Sequence, residues 1–321
     1  MTFTRRFVMA SSVAAIGFAG FGAPALAWEP VKPIDFVIMA GAGGGADQIA
    51  RFIQSVSEKN DLTGRPLVPN NKGGGSGAEA LIYLNEASDP DHTLLVTLNS
   101  FFTTPLRQED LGIDVSTFTP IAMMGVDPFI LWVHKDSGIT SFEQWVEEVK
   151  AADGQYVMGG TGTGQEDSLV VAFLENTYDL DVKYIPYGGG GEVAKDLAGQ
   201  QVSATVNNPA EAKGFYEAGD VVPLVAFSDE RLPTYPDVPT IKELGEDFSY
   251  YNQRAIVGPP AMSDEAAQYY QELFETIYNT DEWKAYMESE SLSPLWMPPE
   301  EQTEYWTTQI ARHKELLATM E

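Results

Sequence analysis

Apolar and polar positions along this chain follow two periods, and the period changes where glycines cluster. Residues 34–39 read as a buried strand; beyond glycines at 41–45, Ile49, Phe52, Ile53 and Val56 fall at i, i+3, i+4 and i+7, one face of a helix. The unit repeats with a short strand at 66–69, glycines at 73–77, a helix carrying Leu81, Ile82 and Leu84, and a third strand at 93–98. A second series starts near Val126, with a strand at 129–133, a helix at 141–151 and a strand at 156–158. Glycines at 159–164 then open a helix running through Phe173, and the strand 182–186 leads through glycines 188–191 into a helix with Val193 and Leu197. The strand 202–206 precedes a helix opened by Asn208-Pro209, a cap followed by proline at the first helical position.

Alternation of this kind predicts an α/β protein with mostly parallel sheets flanked by helices, and two serial units predict two lobes. A strand over 250–257 is expected to return the chain to the first lobe. Helices at 263–279, 281–289 and beyond Pro298-Pro299 should pack there, the last presenting Trp306, Ile310 and Leu317 on one face. The chain then crosses between lobes twice, at a natural hinge. The division expected is 28–126 with 252–321 in one lobe and 127–251 in the other.

The glycine clusters change the picture from architecture to chemistry. Each sits between a strand and a helix, so bare backbone N–H groups gather at a positive dipole end that favours an anion. Four such turns on two lobes suggest a cleft that holds carboxylate or phosphate.

Residues 1–27 have the pattern of an export signal, with Arg5 and Arg6, an apolar stretch at 7–21 and Ala25-Leu26-Ala27 before the cut; the arginine pair also suits the twin-arginine route. A periplasmic, soluble mature chain follows as the expectation. Its charge would move from −28 to −30 as the two arginines leave, which argues against a nucleic-acid partner. With 0 cysteines there is neither a disulfide nor a thiolate nucleophile.

Several motifs reduce to weaker readings. Residues 41–46 fit a dinucleotide fingerprint, but no acid ends the second strand, where Asn70, Asn71 and Lys72 stand, so no cofactor is expected. Ser76 falls one residue short of a nucleophile elbow. His92, His134 and His313 read as ordinary surface or strand-end residues, and no metal-ligand spacing occurs. Asp47 serves either as a cap for its own glycine turn or as a ligand contact. Glu166 and Asp167 are normal in a first helical turn but unfavourable beside an anion, so they are expected to point away from a ligand. Otherwise they hold a cation or a protonated group. Asn208 is explained by capping alone. Arg254, inside an apolar run near the crossing, needs an anionic partner.

The segments 32–47, 71–78 and 231–240 resemble the substrate-binding receptors of tripartite tricarboxylate transporters, the Bug or TctC family, over roughly residues 29–317. Gly159-Gly160-Thr161-Gly162 with Gln165-Glu166-Asp167, residues 187–194, Val206-Asn207-Asn208-Pro209, and Arg254 before Gly258-Pro259-Pro260 are similar to its tricarboxylate branch. The resemblance implies a Venus-flytrap receptor, not an enzyme, in which two lobes close over a small di- or tricarboxylate. It further implies a monomer that delivers its ligand to one large and one small membrane subunit. Carried over by motif, the contacts are Gly43, Gly44 and Asp47, then Gly74 and Ser76, then Asn99 and Ser100. From the facing lobe come Thr161, Gly162, Gln165, Gly189 and Asn207, with Arg254 near the hinge. Two features depart from the wider family: Gly41-Ala42 replaces a Pro-Pro pair, and Ser168 stands where a histidine is common. Arg254 and Lys72 are the cations expected near the cleft. An exported enzyme acting on a carboxylate or phosphate, and an acidic scaffold, are the rival classes.

Overall fold

The computed structural model describes residues 28–320; the export signal expected at 1–27 lies outside the described residues. Strand β1 (Ile34–Ile38) leads through glycine into helix α1 (Gly45–Lys59), then β2 (Leu67–Asn71), α2 (Ala78–Asn85), β3 (Thr93–Val96) and α3 (Ser100–Arg107). Strand β4 (Thr119–Pro128) passes almost directly into β5 (Ile130–His134), with Phe129 alone between them. The second series comprises α4 (Phe142–Ala151), β6 (Tyr156–Gly160), α5 (Glu166–Tyr178), β7 (Val182–Pro186), α6 (Gly190–Ala198), β8 (Ala204–Asn207), α7 (Pro209–Glu217) and β9 (Val221–Ala226). The chain closes with β10 (Tyr251–Gly258), α8 (Asp264–Asn279), α9 (Asp281–Glu290) and α10 (Pro299–Ala318).

Two sheets of five strands result, ordered β2-β1-β3-β10-β4 and β7-β6-β8-β5-β9. In each, parallel pairs come from the βα units, while one crossing strand runs antiparallel to both neighbours: β10 in the first sheet, β5 in the second. The two sheets therefore have the same plan, and the strand that enters each from the hinge is the reversed one. Period-two alternation sorts the side chains. Ile34, Phe36 and Ile38 face α1, α8 and α9, whereas Val37 and Met39 face α2 and α3. Leu131 and Val133 likewise join the core under α4 and α5, and Ile130 and Trp132 the one under α6 and α7. Burial on both faces explains the continuous apolar runs.

Three elements escape the sequence pattern. Strands β4 and β9 carry Pro120, Pro128 and Pro223, and both are edge strands, where proline is tolerated. Helix α3 has Pro105 inside it and buries Ser100 to Thr104.

The last helix departs from expectation. Trp306 and Ile310 pack on the first sheet, but Leu316, Leu317 and Met320 pack on the core of the second, so α10 is a third connection between the halves. His313, fully buried rather than superficial, sits between these two contacts. Its Nδ1 lies 2.7 Å from the carbonyl of Gln309, which can only accept, so Nε2 accepts from the Tyr250 hydroxyl at 3.0 Å. Burial drives its pKa down to about 4, and the neighbouring Arg312 adds to the shift. Because the folded value lies below the unfolded 6.5, the neutral ring's contribution is present above pH 6.5 and lost as pH falls through 4. H313Q is therefore expected to flatten the loss of stability between those pH values by up to about 3 kcal/mol, measured by urea denaturation.

Candidate functional site

The loops at the carboxyl ends of β1 and β7 face each other across a cleft between the sheets. They approach backbone to backbone. A Cβ placed on Gly191 would lie 2.7 Å from the Gly43 carbonyl oxygen, and one on Gly41 would lie 2.9 Å from that of Gly188. Beneath this contact a cavity of about 30 Å³ remains, room for roughly one water. Met39, Ala40, Gly44, Gly45, Gly73 and Leu98 line it from the first half, and Thr161, Gln165, Glu166, Asp167 and residues 188–190 from the second. Asn208, Glu211, Asn252 and Arg254 complete the wall near the hinge.

Carboxyl groups from the second half reach the helix starts of the first. Glu211 Oε1 accepts from the backbone N–H of Gly45, the first residue of α1, at 2.9 Å, and its Oε2 accepts from Asn208 at 3.1 Å. Glu166 accepts from the N–H of Ser100 at the start of α3. Asp167 accepts from the N–H of Thr161 at 2.8 Å within its own half. The positive helix ends do attract anions, as the glycine pattern implies, but here the anions belong to the protein. Burial raises the pKa of all three acids, that of Glu211 to about 7; its neighbour Asp127 adds to this, while the Gly45 N–H and Arg254 oppose it.

The anionic partner that Arg254 needs is Asp127. Arg254 Nε donates to Asp127 Oδ2 at 3.1 Å and its Nη2 donates to Asn208 Oδ1 at 2.9 Å, while Asn208 Nδ2 donates to the Pro128 carbonyl at 2.8 Å. Both charged side chains are 1 % exposed. Burial pushes the Asp127 carboxyl up to about 6 despite the adjacent guanidinium. Arg254 Nη1 has no partner among the described residues.

Of the residues expected at the site, Gly44, Thr161, Gln165, Gly189 and Arg254 line the cavity. The others stand beside it. Asp47 accepts from Gly43 N–H at 2.9 Å and from Arg51 and Asn71, which makes it the cap of its own loop. Gly74 donates to Glu79, and Ser76, at a left-handed φ of +59°, faces Gly162 across the mouth of the cleft. Gly162 donates to the Gln165 side chain at 2.6 Å. Asn99 ties the end of β3 to β10 through Tyr251, Asn252 and Gln253, and Ser100 meets Glu166. Asn207 donates to the Gly190 carbonyl and accepts from Thr205, so its amide is spent inside the second half.

Three expectations need correction. Glu166 and Asp167 point into the cleft, because α5 starts at its wall and their carboxyls find backbone donors there. Asn208 does more than cap, since its amide bridges Arg254 and Pro128. Lys72 turns to Glu79 and the Tyr83 ring. Glu211 escaped notice because Asn208 and Glu211 have the spacing of a helix capping box, which accounts for the pair without any ligand.

Two α/β halves with opposed helix starts over one cleft define the architecture of a solute-binding protein, and solved structures bear this out. The fold superposes with a TM-score of 0.85 on the periplasmic binding protein BugD at 23% identity, covering 90% of this chain and 97% of that one. It matches Rpa4515 of R. palustris with adipate equally well, at 0.85 and 23% over the same shares. MatC from Rhodopseudomonas palustris with bound malate gives 0.82 at 20% identity over 89% of this chain and 99% of that one. The family described as "Tripartite tricarboxylate transporter family receptor" (TctC) matches residues 49–321, and the chain belongs to it. Among sequence relatives, the "UPF0065 protein in gbd 5'region" of Cupriavidus necator is 24% identical over 98% of this chain and 96% of its own length. Protein BugT of Bordetella pertussis is 26% identical over 72% of this chain and 71% of its own. The structural neighbours are binding proteins, and no described helix is long and apolar enough to cross a membrane.

Two outcomes follow from this geometry. G191A puts a methyl group against the Gly43 carbonyl, so small-angle scattering should show a more open molecule while stability changes by less than about 1 kcal/mol. Glu211, whose folded pKa of about 7 exceeds its ordinary 4.5, contributes stability that is complete below pH 4.5 and lost as pH rises through 7. E211Q should therefore flatten the fall in thermal midpoint across that window; an unchanged profile would show that the carboxyl is not held in the cleft.

Proposed function

We propose that the protein is a periplasmic receptor that captures a small organic carboxylate, at most of the size of a citrate-like di- or tricarboxylate, between two lobes. It would release the ligand to the large and small membrane subunits of a tripartite transporter, acting as a monomer and without chemistry. The observation that carries this reading is the convergence of opposed glycine loops, two helix starts and Arg254 on one cavity between the sheets. The structural neighbours Rpa4515 with adipate and MatC with bound malate support the same class of ligand. We take the lobes to be 28–126 with 252–321 and 127–251, with the crossings beside Asp127 and Tyr251.

Closure would follow from contacts that a ligand makes to both lobes only when they meet, which shifts the population toward the closed form. A carboxyl with a pKa near 7 is also what a general acid requires, and this favours an exported enzyme as the second reading. Calorimetry against citrate, succinate, malate, adipate and aromatic acids is expected to give a Kd of about 1 μM or tighter, near −8 kcal/mol. No heat from a folded sample across the panel would defeat the carboxylate reading, and turnover of a bound acid would favour the enzyme. Mass spectrometry of the acid that copurifies with the native protein would identify the ligand directly.

A further inference from the structure

A second cavity lies against the hinge, on the face of β10 opposite the cleft. Asn252 and Arg254 line the cleft, whereas Tyr251, one position earlier on the same strand, points the other way, as alternation along a strand requires. There it joins Leu232 and Pro233, from the loop after β9, and Met287, Leu292 and Pro294, from α9 and the segment behind it, around a space of about 570 Å³. Pockets that hold small organic molecules span roughly 300–1,000 Å³. Leu232, Met287 and Leu292 are buried, while Pro233 and Pro294 form exposed walls. Both crossings between the sheets meet this lining. Tyr251 stands at the return crossing, and Ser293 exchanges backbone hydrogen bonds of 2.8 and 3.1 Å with Val126 beside the outward one. Next to the pocket, Lys213 donates to Glu290 at 2.7 Å and Thr234 meets Ser291, two further contacts from one half to the other.

The rim decides what such a pocket would hold. Asp229 is paired with Lys242 and Arg231 with Glu243, and Lys284 donates to the Asn279 carbonyl at 2.9 Å. Glu230 and Glu288 are exposed, stand on opposite halves, and take part in no ion pair among the described residues. Lys284 offsets only one of these two charges. We propose that the hinge pocket binds a small amine with an apolar ring, and that its occupation favours the closed form. The ring lies against Leu232, Met287 and Leu292, where burial supplies about 25 cal/mol per Å² of apolar surface, and the ammonium stays at the rim with Glu230 and Glu288. An anion would instead meet unpaired carboxylates on a chain of net charge −28. Because the two walls belong to different halves, their spacing changes when the halves part. A molecule that touches both therefore binds this form better than an open one and shifts the population toward it. By linkage, whatever closes the cleft also tightens binding at the hinge. The pocket lies outside the cleft cavity and does not depend on which acid the cleft takes.

Calorimetry at pH 7.5 with the mature chain compares 2-phenylethylamine, 2-phenylethanol and 3-phenylpropionate, which carry the same ring with a positive charge, none and a negative one. P233W and P294W fill the pocket from its exposed walls and should abolish amine binding, with circular dichroism checking each fold. At the site these variants remove, the amine should bind about tenfold more tightly than the acid, equivalent to 1.4 kcal/mol. E230Q combined with E288Q should bring amine and alcohol to the same affinity. G191A, which holds the halves apart at the glycine loops, should weaken the amine about threefold. No amine binding to the wild-type chain, or binding untouched by both tryptophan variants, overturns the hinge site whatever the panel of acids shows at the cleft. An acid that binds there as tightly as the amine overturns the assignment of charge, and equal affinity for G191A overturns the coupling to closure. A dimer in sedimentation that P294W dissolves, with no amine bound, makes the pocket a contact between copies and overturns the proposal as well.

Discussion

The buried ion pair of Arg254 and Asp127 is the constraint around which the rest of the molecule is arranged. It joins β10 to β4 where the chain leaves the first sheet, and through Asn208 it reaches the start of α7 in the second half. Two charges 1 % exposed survive only with close partners, so each neighbour is dictated. A Cβ on Gly45 would lie 2.4 Å from Arg254 Nη2, and α1 must therefore begin with a residue that has none. The glycine that opens the first helix is there for the arginine as much as for any anion.

From that pair the cleft follows. Asn208 holds α7 against the hinge, α7 carries Glu211, and Glu211 crosses to the N–H of Gly45. The same logic on the other wall brings Glu166 to Ser100. Closure in this structure is thus carried by acids of one half on helix ends of the other, with the glycine loops in backbone contact above them. Any ligand has to join or displace these contacts, and the balance between the two outcomes is set by the charge it brings.

Much of this was legible in the chain. The change of period at each glycine cluster located both sets of βα units, because local spacing alone sets strand and helix there. Arg254 was legible as a buried charge from the apolar run around it. Its partner was not, because Asp127 lies at the very place where the pattern changes from one series to the next. Edge strands broken by proline left no periodic trace, and Pro105 argued against a helix where α3 runs. The direction of Glu166 and Asp167 depends on which wall α5 starts against, a tertiary fact that helix-end preferences do not encode. Glu211 was hidden by a simpler local explanation that is also true.

Helix α10 gives the two halves a connection that the crossing strands do not. With Trp306 seated in one core and Leu316, Leu317 and Met320 against the other, α10 and the residues just past it bridge the two halves. Separating the halves would pull those apolar side chains out of one core, a cost that the crossing strands alone do not impose. The end of the chain is thus tied to both halves at once, so a change in their spacing would have to register in the packing of its last residues.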